Sequence, residues 1–367
     1  MRVFVHGRFD NLNLGHRVFL EKARKYGDCL TVFLNDWQKC DQTYEERQNA
    51  LISISCVDNV VKETDSDVFY HFTKECENAT VVLGEHDRAL GASLTELCIP
   101  VQYVSSGIPS IPYLVISIGQ ACNLKCRDCG ILSPYAPQSA LLYDISSIIN
   151  DLSIIAKNCD TIDRLQIQGG EPFLHPNLVD LLDSLLEQKP FINCIKKIEI
   201  ATNGTIVPAS NVLERMCNDK LFVRISNYSN LKQIKPNVTE TIACLDEHKI
   251  KYRIYNFTSR RDLWYRKGDF NISPELDDSV VADRFSSCKN RNCLTMENSI
   301  LGYCSRSTIS KNIQKFIPKH NDYLCIKDNE YFYEELYKYI NNKHFMESCR
   351  YCYGTDAAYL VEPAIQL

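Results

Sequence analysis

Short apolar runs alternate with amphipathic, helix-forming stretches along the first hundred residues. Runs of Val, Phe, Leu and Ile are typical of buried parallel strands, and apolar residues at helical spacing are typical of the helices between them. The pattern predicts strands at 2–5, 29–34 and 81–83 and helices at 15–26 and 44–54. This βαβ order predicts a small parallel sheet covered by helices.

A second series of strand and helix segments begins after residue 112. Strands are predicted at 113–118, 164–167, 197–201 and 221–226, and helices at 146–157 and 178–186. The stretch 104–112 between the two series contains two prolines and a glycine without helical periodicity, so we place a domain boundary near Ser110. The alternation after this boundary predicts a partial, parallel-stranded α/β barrel.

The strand and helix alternation stops near Ser273, and most of the cysteines that follow have ligand-like spacing. They are Cys288, Cys293, Cys304, Cys349 and Cys352. This predicts a small appendage organised by a metal centre. The chain is therefore predicted to contain three domains, at 1–110, 111–272 and 273–367.

Composition and charge narrow the class of protein. Hydrophobic residues make up 45% of the chain and charged residues 24%, which is the balance of a globular protein with a sizeable core. The net charge of -5 gives no general attraction for a polyanion, so a nucleic-acid partner is not expected. No apolar stretch reaches about 18 residues and no signal peptide is recognisable, so we expect a cytoplasmic protein without membrane association. Disulfides are disfavoured in that compartment, so cysteines at ligand spacing predict a metal or a cluster.

Three of the 18 cysteines form a compact triplet after the strand predicted at 113–118. Cys122, Cys126 and Cys129 have the spacing C-x3-C-x2-C. Three thiolates on a loop leaving a strand can each ligate one iron of a cubane cluster, which leaves the fourth iron open to another ligand. The alternatives are unrelated thiols in a cysteine-rich chain and a zinc site that lacks its fourth ligand.

The triplet and the sequence Gly-Gly-Glu-Pro at the end of the next strand resemble motifs of the radical S-adenosylmethionine superfamily. The resemblance implies a 4Fe-4S cluster on the three cysteines and S-adenosylmethionine bound to its open iron. The residues that it places beside S-adenosylmethionine are Gly169, Gly170, Glu171, Pro172, Asn203 and Ser226. Glu171 can accept a hydrogen bond from a cationic amine. The alternative for Gly-Gly-Glu-Pro is a plain turn.

The cysteines after residue 273 supply five candidate ligands for a site that needs four. Their pattern resembles the auxiliary-cluster domains of radical enzymes called SPASM or twitch domains, which implies a second 4Fe-4S cluster on four of Cys288, Cys293, Cys304, Cys349 and Cys352. One alternative is that Cys288 or Cys293 is the cysteine that does not bind the cluster. The other is that both bind and one of the remaining three cysteines does not. Zinc is the alternative, because the final C-x2-C suits zinc equally well.

The sequence Gly-Arg-Phe-Asp-Asn-Leu-Asn-Leu-Gly-His at residues 7–16 resembles the phosphate-binding loop of cytidylyltransferases. The resemblance implies a Rossmann-like nucleotidyltransferase domain with nucleotide near Phe9, Asp10, Asn13, Gly15 and His16, since a helix N-terminus favours phosphate. Asn13 stands where the family has its first histidine and cannot supply a proton or a positive charge in the same way. Nucleotidyl transfer is therefore not expected, while nucleotide binding and a purely structural role both stay open.

Together these resemblances imply an α/β chain with three parts: a Rossmann-like nucleotidyltransferase domain, a partial parallel barrel of the (β/α)6 type and a small cluster-binding appendage. We expect an oxidoreductase that cleaves S-adenosylmethionine, takes hydrogen from a sugar or alditol and oxidises it, in surface-polysaccharide or related metabolism. The substrate could be cytidylyl-linked, an expectation that depends on analogy with the fused domain. The expected reductant is a protein such as flavodoxin or ferredoxin. No catalytic acid or base is assigned.

Two other functions stay open at this point. One is a radical maturase of a ribosomal peptide, and the other is a non-catalytic protein that binds a nucleotide or responds to redox state. The arginines at 260 and 261, with Trp264, are candidates for an anionic or sugar substrate at the barrel mouth. A solvated loop is the alternative for this stretch.

Overall fold

The computed structural model describes residues 1–10, 12, 14–36, 40–63, 79–84, 87–104, 109–228, 238–257, 263–268, 276–312, 319, 322–329, 332–341 and 343–367. The chain divides into a first unit, Met1–Ile108, and a second unit, Pro109–Leu367. Within the described ranges, no helix is both long enough and apolar enough to span a membrane.

The first unit contains a five-stranded parallel sheet. Its strands are β1 (Arg2–Gly7), β2 (Cys29–Asn35), β3 (Asn59–Glu63), β4 (Ala79–Gly84) and β5 (Val101–Val104), in the order β3-β2-β1-β4-β5, and its helices are α1 (Leu14–Arg24), α2 (Tyr44–Ile52) and α3 (Arg88–Glu96). Val3 and Val5 join one apolar cluster, whereas Phe4 joins another. Successive side chains of a strand point to opposite faces, so both faces of this sheet are buried. That double burial explains the uninterrupted apolar run in β1.

The second unit contains an eight-stranded sheet and a two-stranded ribbon. The strands are β6 (Leu114–Ser117), β7 (Leu165–Gln168), β8 (Ile198–Thr202), β9 (Leu221–Asn227), β10 (Tyr252–Asn256), β11 (Trp264–Tyr265), β12 (Leu294–Glu297), β13 (Ile300–Gly302), β14 (Leu324–Cys325) and β15 (Leu360–Val361). The large sheet has the order β10-β9-β8-β7-β6-β12-β13-β14, and β11 pairs with β15. Its first six strands pair in parallel, with β12 beside β6. The predicted fold class, with a partial (β/α)6-type barrel, is confirmed.

Helices cover the parallel strands of the second unit. They are α4 (Ile145–Lys157), α5 (Leu178–Glu187), α6 (Lys189–Cys194), α7 (Ser210–Met216) and α8 (Val238–Glu247), followed by α9 (Asp278–Ser287), α10 (Ser305–Asn312) and α11 (Phe332–Asn341). Asp144 begins α4 as an N-cap, because its carboxylate accepts the Ser147 backbone N–H at 2.9 Å. Ile148, Leu152 and Ile155 follow at helical spacing and are buried in the main core. The helix therefore packs through one apolar face.

The stretch predicted as a separate appendage contributes strands to the barrel sheet. Leu294 of β12 pairs with Leu114 of β6, and β13 then pairs with β12 in antiparallel orientation. A shared sheet joins the two stretches through backbone hydrogen bonds, and 109–367 forms one unit. The division at residue 273 stays a prediction.

The ends of the parallel strands position the residues discussed below. Ser117, Gln168, Thr202 and Asn227 are the last residues of β6, β7, β8 and β9. Parallel neighbours place their carboxyl ends at one edge of the sheet, so the loops that leave these strands meet there.

Helix α6 offers a matched test of the core of the second unit. Phe191 is fully buried, whereas its neighbour Ile192 is 39% exposed. Phe191→Ala leaves a cavity and should lower the free energy of unfolding by about 3–5 kcal/mol. Ile192→Ala should change it by no more than about 0.5 kcal/mol. Urea denaturation followed by circular dichroism measures both, and equal losses in the two variants would contradict this packing.

Candidate functional site

The loops at the carboxyl ends of β6 to β9 surround a cavity of about 450 Å³, which we call the first cavity. Seven of the residues predicted from the sequence line it: Cys122, Cys126, Cys129, Gly169, Gly170, Asn203 and Ser226. They come from positions up to about 100 residues apart in the sequence. The structure thus brings the cysteine triplet and most of the residues expected beside S-adenosylmethionine to one place.

The loop 122–129, here called the cysteine loop, directs hydrogen-bond donors toward its sulfur atoms. The Leu124 backbone N–H donates to Cys122 Sγ at 3.4 Å, and Gln366 Nε2 donates to Cys126 Sγ at 3.5 Å. Such donors favour the thiolate, which is the form that ligates iron. Backbone N–H groups of residues 131–133 act in the same way on Cys129, and three such thiols around one cavity fit an iron–sulfur cluster.

Burial opposes ionisation of the same thiols. It raises the pKa of Cys122 to about 12 and that of Cys126 to about 11, and it also raises the pKa of Cys129. The free thiols are therefore protonated at neutral pH. Binding of a cluster must release these protons, so cluster affinity depends on pH.

Gly169 and Gly170 hold their loop directly against the backbone that leads into the cysteine loop. The Gly170 N–H donates to Gly119 O at 3.0 Å. A Cβ atom on Gly170 would lie 2.3 Å from Ala121 O, and one on Gly169 would lie 2.4 Å from Gly119 O. Only residues without a side chain permit this approach. The glycines therefore position the cysteine loop in addition to lining the cavity.

Glu171 lies behind the cavity wall and holds the end of β8. Thr202 Oγ1 donates to Glu171 Oε1 at 2.7 Å, and the Asn203 backbone N–H donates to Oε2 at 2.8 Å. Burial raises the pKa of Glu171 to about 7, against the opposing effect of these donors. Neither Glu171 nor Pro172 is among the described residues that line the cavity. Their contact with S-adenosylmethionine stays a prediction.

The amide of Asn203 connects this buried carboxylate to the cysteine loop. Its Nδ2 donates to Asn123 Oδ1 at 3.0 Å and lies 3.9 Å from Cys122 Sγ. Its Oδ1 accepts the Thr205 backbone N–H at 2.9 Å. Since Glu171 fixes the Asn203 backbone, the buried carboxylate acts on the cysteine loop through Asn203.

Aromatic side chains form a second wall of the first cavity that the motifs do not reveal. Tyr228 and Phe257 stack with ring centroids 4.9 Å apart, and the edge of Trp264 meets Tyr228 at 5.7 Å. All three line the cavity together with Tyr255. Of the stretch predicted at the barrel mouth, Trp264 is at the cavity, while the arginines at 260 and 261 lie outside the described residues. Their position in the sequence could have indicated this wall, because Tyr228 and Phe257 directly follow β9 and β10.

Arg224 gives the first cavity a positive charge. It lines the cavity from β9, and its Nε donates to Glu199 at 2.8 Å. Glu199 is almost fully buried and also lies 3.5 Å from Arg164. Two guanidinium groups thus share the carboxylate of Glu199.

Comparisons with known proteins found similarities to both parts of the chain. The cytidylyltransferase-like family model matches residues 4–104. The chain is 24% identical over 171 residues to the antilisterial bacteriocin subtilosin biosynthesis protein AlbA of Bacillus subtilis, covering 44% of this chain and 36% of AlbA. It is 28% identical over 102 residues to GTP 3',8-cyclase of Stenotrophomonas maltophilia, covering 27% of this chain and 28% of that protein. The solved structure of Streptococcus suis SuiB bound to S-adenosylmethionine is 22% identical, with a TM-score of 0.34, and the match covers 48% of this chain and 40% of SuiB.

The chain thus combines a part that matches the cytidylyltransferase-like family model with a part that is similar to radical S-adenosylmethionine enzymes. Those relatives bind a 4Fe-4S cluster and S-adenosylmethionine, and some of them hold an auxiliary cluster. The chain spans about a third of the length of these two curated relatives.

A second group of cysteines lines a smaller cavity of about 40 Å³ in the second unit, which we call the second cavity. Its cysteines are Cys288, Cys304, Cys349 and Cys352. Three arginines line it as well, namely Arg284, Arg291 and Arg306. Four thiolates with a metal centre carry net negative charge, so the surrounding guanidinium groups suit them. The Gly354 N–H also donates to Cys352 Sγ at 3.3 Å, and this donor set fits a fully ligated cluster.

Cys293 is not among the described residues that line the second cavity. It follows a short turn, Lys289–Asn292, that separates it from Cys288. Burial raises the pKa of Cys293 to about 11, the neighbouring Cys304 and Cys288 act in the same direction, and Arg164 and Arg224 act to lower it. Cys293 is therefore close to the second group of cysteines without lining their cavity. Among the described residues, no three His, Cys, Asp or Glu side chains are close enough together to bind a single metal ion. Each of the two cysteine groups lines a cavity.

The two residues that follow Cys304 lie next to both cavities. Gln168 lines the first cavity, and its Nε2 donates to Ser305 Oγ at 2.8 Å. Arg306 lines the second cavity, and its charge acts to lower the pKa of Cys129 in the first. The two sites are therefore neighbours that share the start of α10.

The predicted nucleotide loop of the cytidylyltransferase-like domain comprises Phe9, Asp10, Asn13, Gly15 and His16. Asp10 binds its own chain, because its carboxylate accepts the backbone N–H groups of Asp41 and Gln42 at 2.8 and 3.0 Å. The His16 ring lies edge-on to Phe9 with centroids 5.5 Å apart. Gly15 lies in the first turn of α1, and Asn13 lies outside the described residues. Nucleotide binding by this loop stays a prediction.

The close packing at Gly170 can be tested with a glycine that has room for a side chain. An added Cβ at Gly130, which also lines the first cavity, meets nothing within 4 Å. Gly170→Ala should displace the cysteine loop and lower iron content after anaerobic reconstitution by about four atoms per chain. Gly130→Ala should bind iron like the wild type. Iron and sulfide analysis measures both, and full iron content in Gly170→Ala would show that the glycine is not needed.

Proposed function

We propose that this protein is a radical S-adenosylmethionine enzyme whose reaction takes place at the first cavity. The observation that carries the proposal is the convergence of Cys122, Cys126 and Cys129 with the glycine, Asn203 and Ser226 positions on that cavity. When cluster and S-adenosylmethionine are bound and an electron is supplied, they provide a carbon radical able to abstract hydrogen. A reductant such as flavodoxin or ferredoxin would supply the electron.

The chain's own residues have definable tasks in this proposal. The three thiolates hold the cluster, and Asn203 and Ser226 present polar groups to S-adenosylmethionine. The aromatic wall around Tyr228 limits access of water to the cavity, which protects a reactive radical from side reactions. Arg224 offers a positive charge to an anionic group of the cofactor or substrate.

We further propose that Cys288, Cys304, Cys349 and Cys352 hold an auxiliary 4Fe-4S cluster. They line one cavity with three arginines, and the contact between Gln168 and Ser305 connects that region to the first cavity. A nearby cluster can accept the electron that a substrate radical releases when it also loses a proton. The net reaction would then be a two-electron oxidation, as in an oxidoreductase.

For the substrate we propose a sugar or alditol, free or cytidylyl-linked, used in surface-polysaccharide or related metabolism. The support is the fused cytidylyltransferase-like domain. The aromatic wall and Arg224 also suit a ligand that combines apolar ring faces with a phosphate.

A second candidate function is maturation of a ribosomal peptide. It is favoured by the match to AlbA, a bacteriocin biosynthesis protein, over 44% of this chain. The two candidates differ in what must enter the first cavity, a small polyol or a peptide side chain.

The central experiment is anaerobic reconstitution of the full chain followed by chromatographic measurement of 5'-deoxyadenosine. With dithionite and S-adenosylmethionine, the wild type should form this product, and a variant with alanine at Cys122, Cys126 and Cys129 should not. Formation should rise with a cytidylyl-linked alditol and remain unchanged with candidate peptides. No product from an iron-loaded wild type would refute the enzyme proposal, while stimulation by a peptide alone would favour the second candidate.

Iron counting tests the auxiliary ligand set through two nearby cysteines. The wild type should contain about eight irons per chain, and Cys304→Ser about four, because a cubane holds four irons. Cys293→Ser serves as the matched control and should retain about eight. About four irons with about one zinc in the wild type would assign the second cavity to zinc instead.

A further inference from the structure

The segment 364–367 lies along the cysteine loop like an added strand. The Arg127 N–H donates to Ile365 O at 2.8 Å, and the Leu367 N–H donates to Lys125 O at 2.8 Å. These two backbone bonds are the pattern of an antiparallel pair. The segment therefore has a fixed register against the proposed cluster ligands.

This register places the side chain of Gln366 beside Cys126. Gln366 Oε1 accepts the Lys125 backbone N–H at 2.7 Å, while its Nε2 donates to Ala364 O at 2.6 Å and to Cys126 Sγ at 3.5 Å. The hydrogen bonds fix the orientation of the Gln366 amide, because the reverse orientation would direct its NH2 group at the backbone N–H of Lys125. An N–H of Gln366 is thus held toward the sulfur by two other hydrogen bonds.

The surroundings of this contact are apolar. Cys126 is 7% exposed and packs in one cluster with Tyr228 and with Ala364, which is 1% exposed. The contact is partly buried, so water screens it less than it would a contact on the surface.

We propose that Gln366 is a positioning residue that sets the reduction potential of the first cluster through its N–H contact to Cys126 Sγ. This inference depends on the proposed function, because it requires a cluster on the cysteine loop. Reduction adds one electron from an external reductant, and hence one negative charge, to the cluster and its thiolates. A donor at a ligating sulfur stabilises that added charge and raises the potential.

The test is a redox titration of the reconstituted full chain with dithionite, followed by electron paramagnetic resonance. The signal that changes when S-adenosylmethionine is added reports the first cluster. Gln366→Glu keeps an acceptor for the Lys125 N–H and loses the donor to sulfur, so its midpoint potential should shift to a more negative value. Gln366→Leu removes the donor without adding a charge and should shift in the same direction by less. Ile365→Ala, in the same segment, should leave the potential unchanged.

The possible outcomes separate this inference from the proposed function. An unchanged midpoint in Gln366→Glu or Gln366→Leu with full iron content overturns the role of Gln366 and leaves the proposed function intact. Should those two variants fail to retain iron, the midpoint potential is measured in Gln366→Asn, whose shorter side chain withdraws the N–H from Cys126 Sγ. Its midpoint should also shift to a more negative value. A wild type that shows no signal responsive to S-adenosylmethionine overturns both.

Discussion

The close contact between two stretches of backbone determines the arrangement of the first cavity. Gly169 and Gly170 follow β7, and they lie against residues 119–121 at distances that exclude any side chain. Residue 121 is followed directly by Cys122. The position of the cysteine loop is therefore fixed by the neighbouring strand, and a mobile surface loop could not hold three sulfur atoms around one cluster with the same accuracy.

The buried carboxylate of Glu171 extends this constraint to the next strand. It accepts hydrogen bonds from Thr202 and Asn203 at the end of β8, and Asn203 in turn contacts Asn123 in the cysteine loop. Three consecutive parallel strands are thereby connected at their carboxyl ends. A carboxylate buried at this position costs free energy, and hydrogen bonds to both of its oxygens offset that cost. Its contribution to the site is geometric, since it fixes groups that face the cavity.

The sequence predicted the parallel strands and the cysteine triplet because both are local patterns. β6 is an apolar run buried on both faces, whereas β7 to β9 largely alternate apolar and polar residues. The triplet has its spacing within eight residues. Which of the later cysteines line the second cavity was not predictable, since only a short turn separates Cys288 from Cys293 and spacing does not encode which of them faces the cavity. The pairing of β12 with β6 joins positions about 180 residues apart, and Gln366 reaches Cys126 across 240 residues. Such contacts depend on the whole fold, and no local pattern reveals them.

Buried thiols with raised pKa values line both cavities. Burial raises the pKa of Cys122, Cys304 and Cys349, so these residues are unsuited to exist as free thiolates. A metal centre that replaces their protons removes this penalty, which couples cluster binding to the stability of the folded unit. The start of α10 takes part in both sites, because Ser305 contacts Gln168 and Arg306 lines the second cavity. The barrel and its cysteine-rich extension are therefore joined by a side-chain contact next to both cavities.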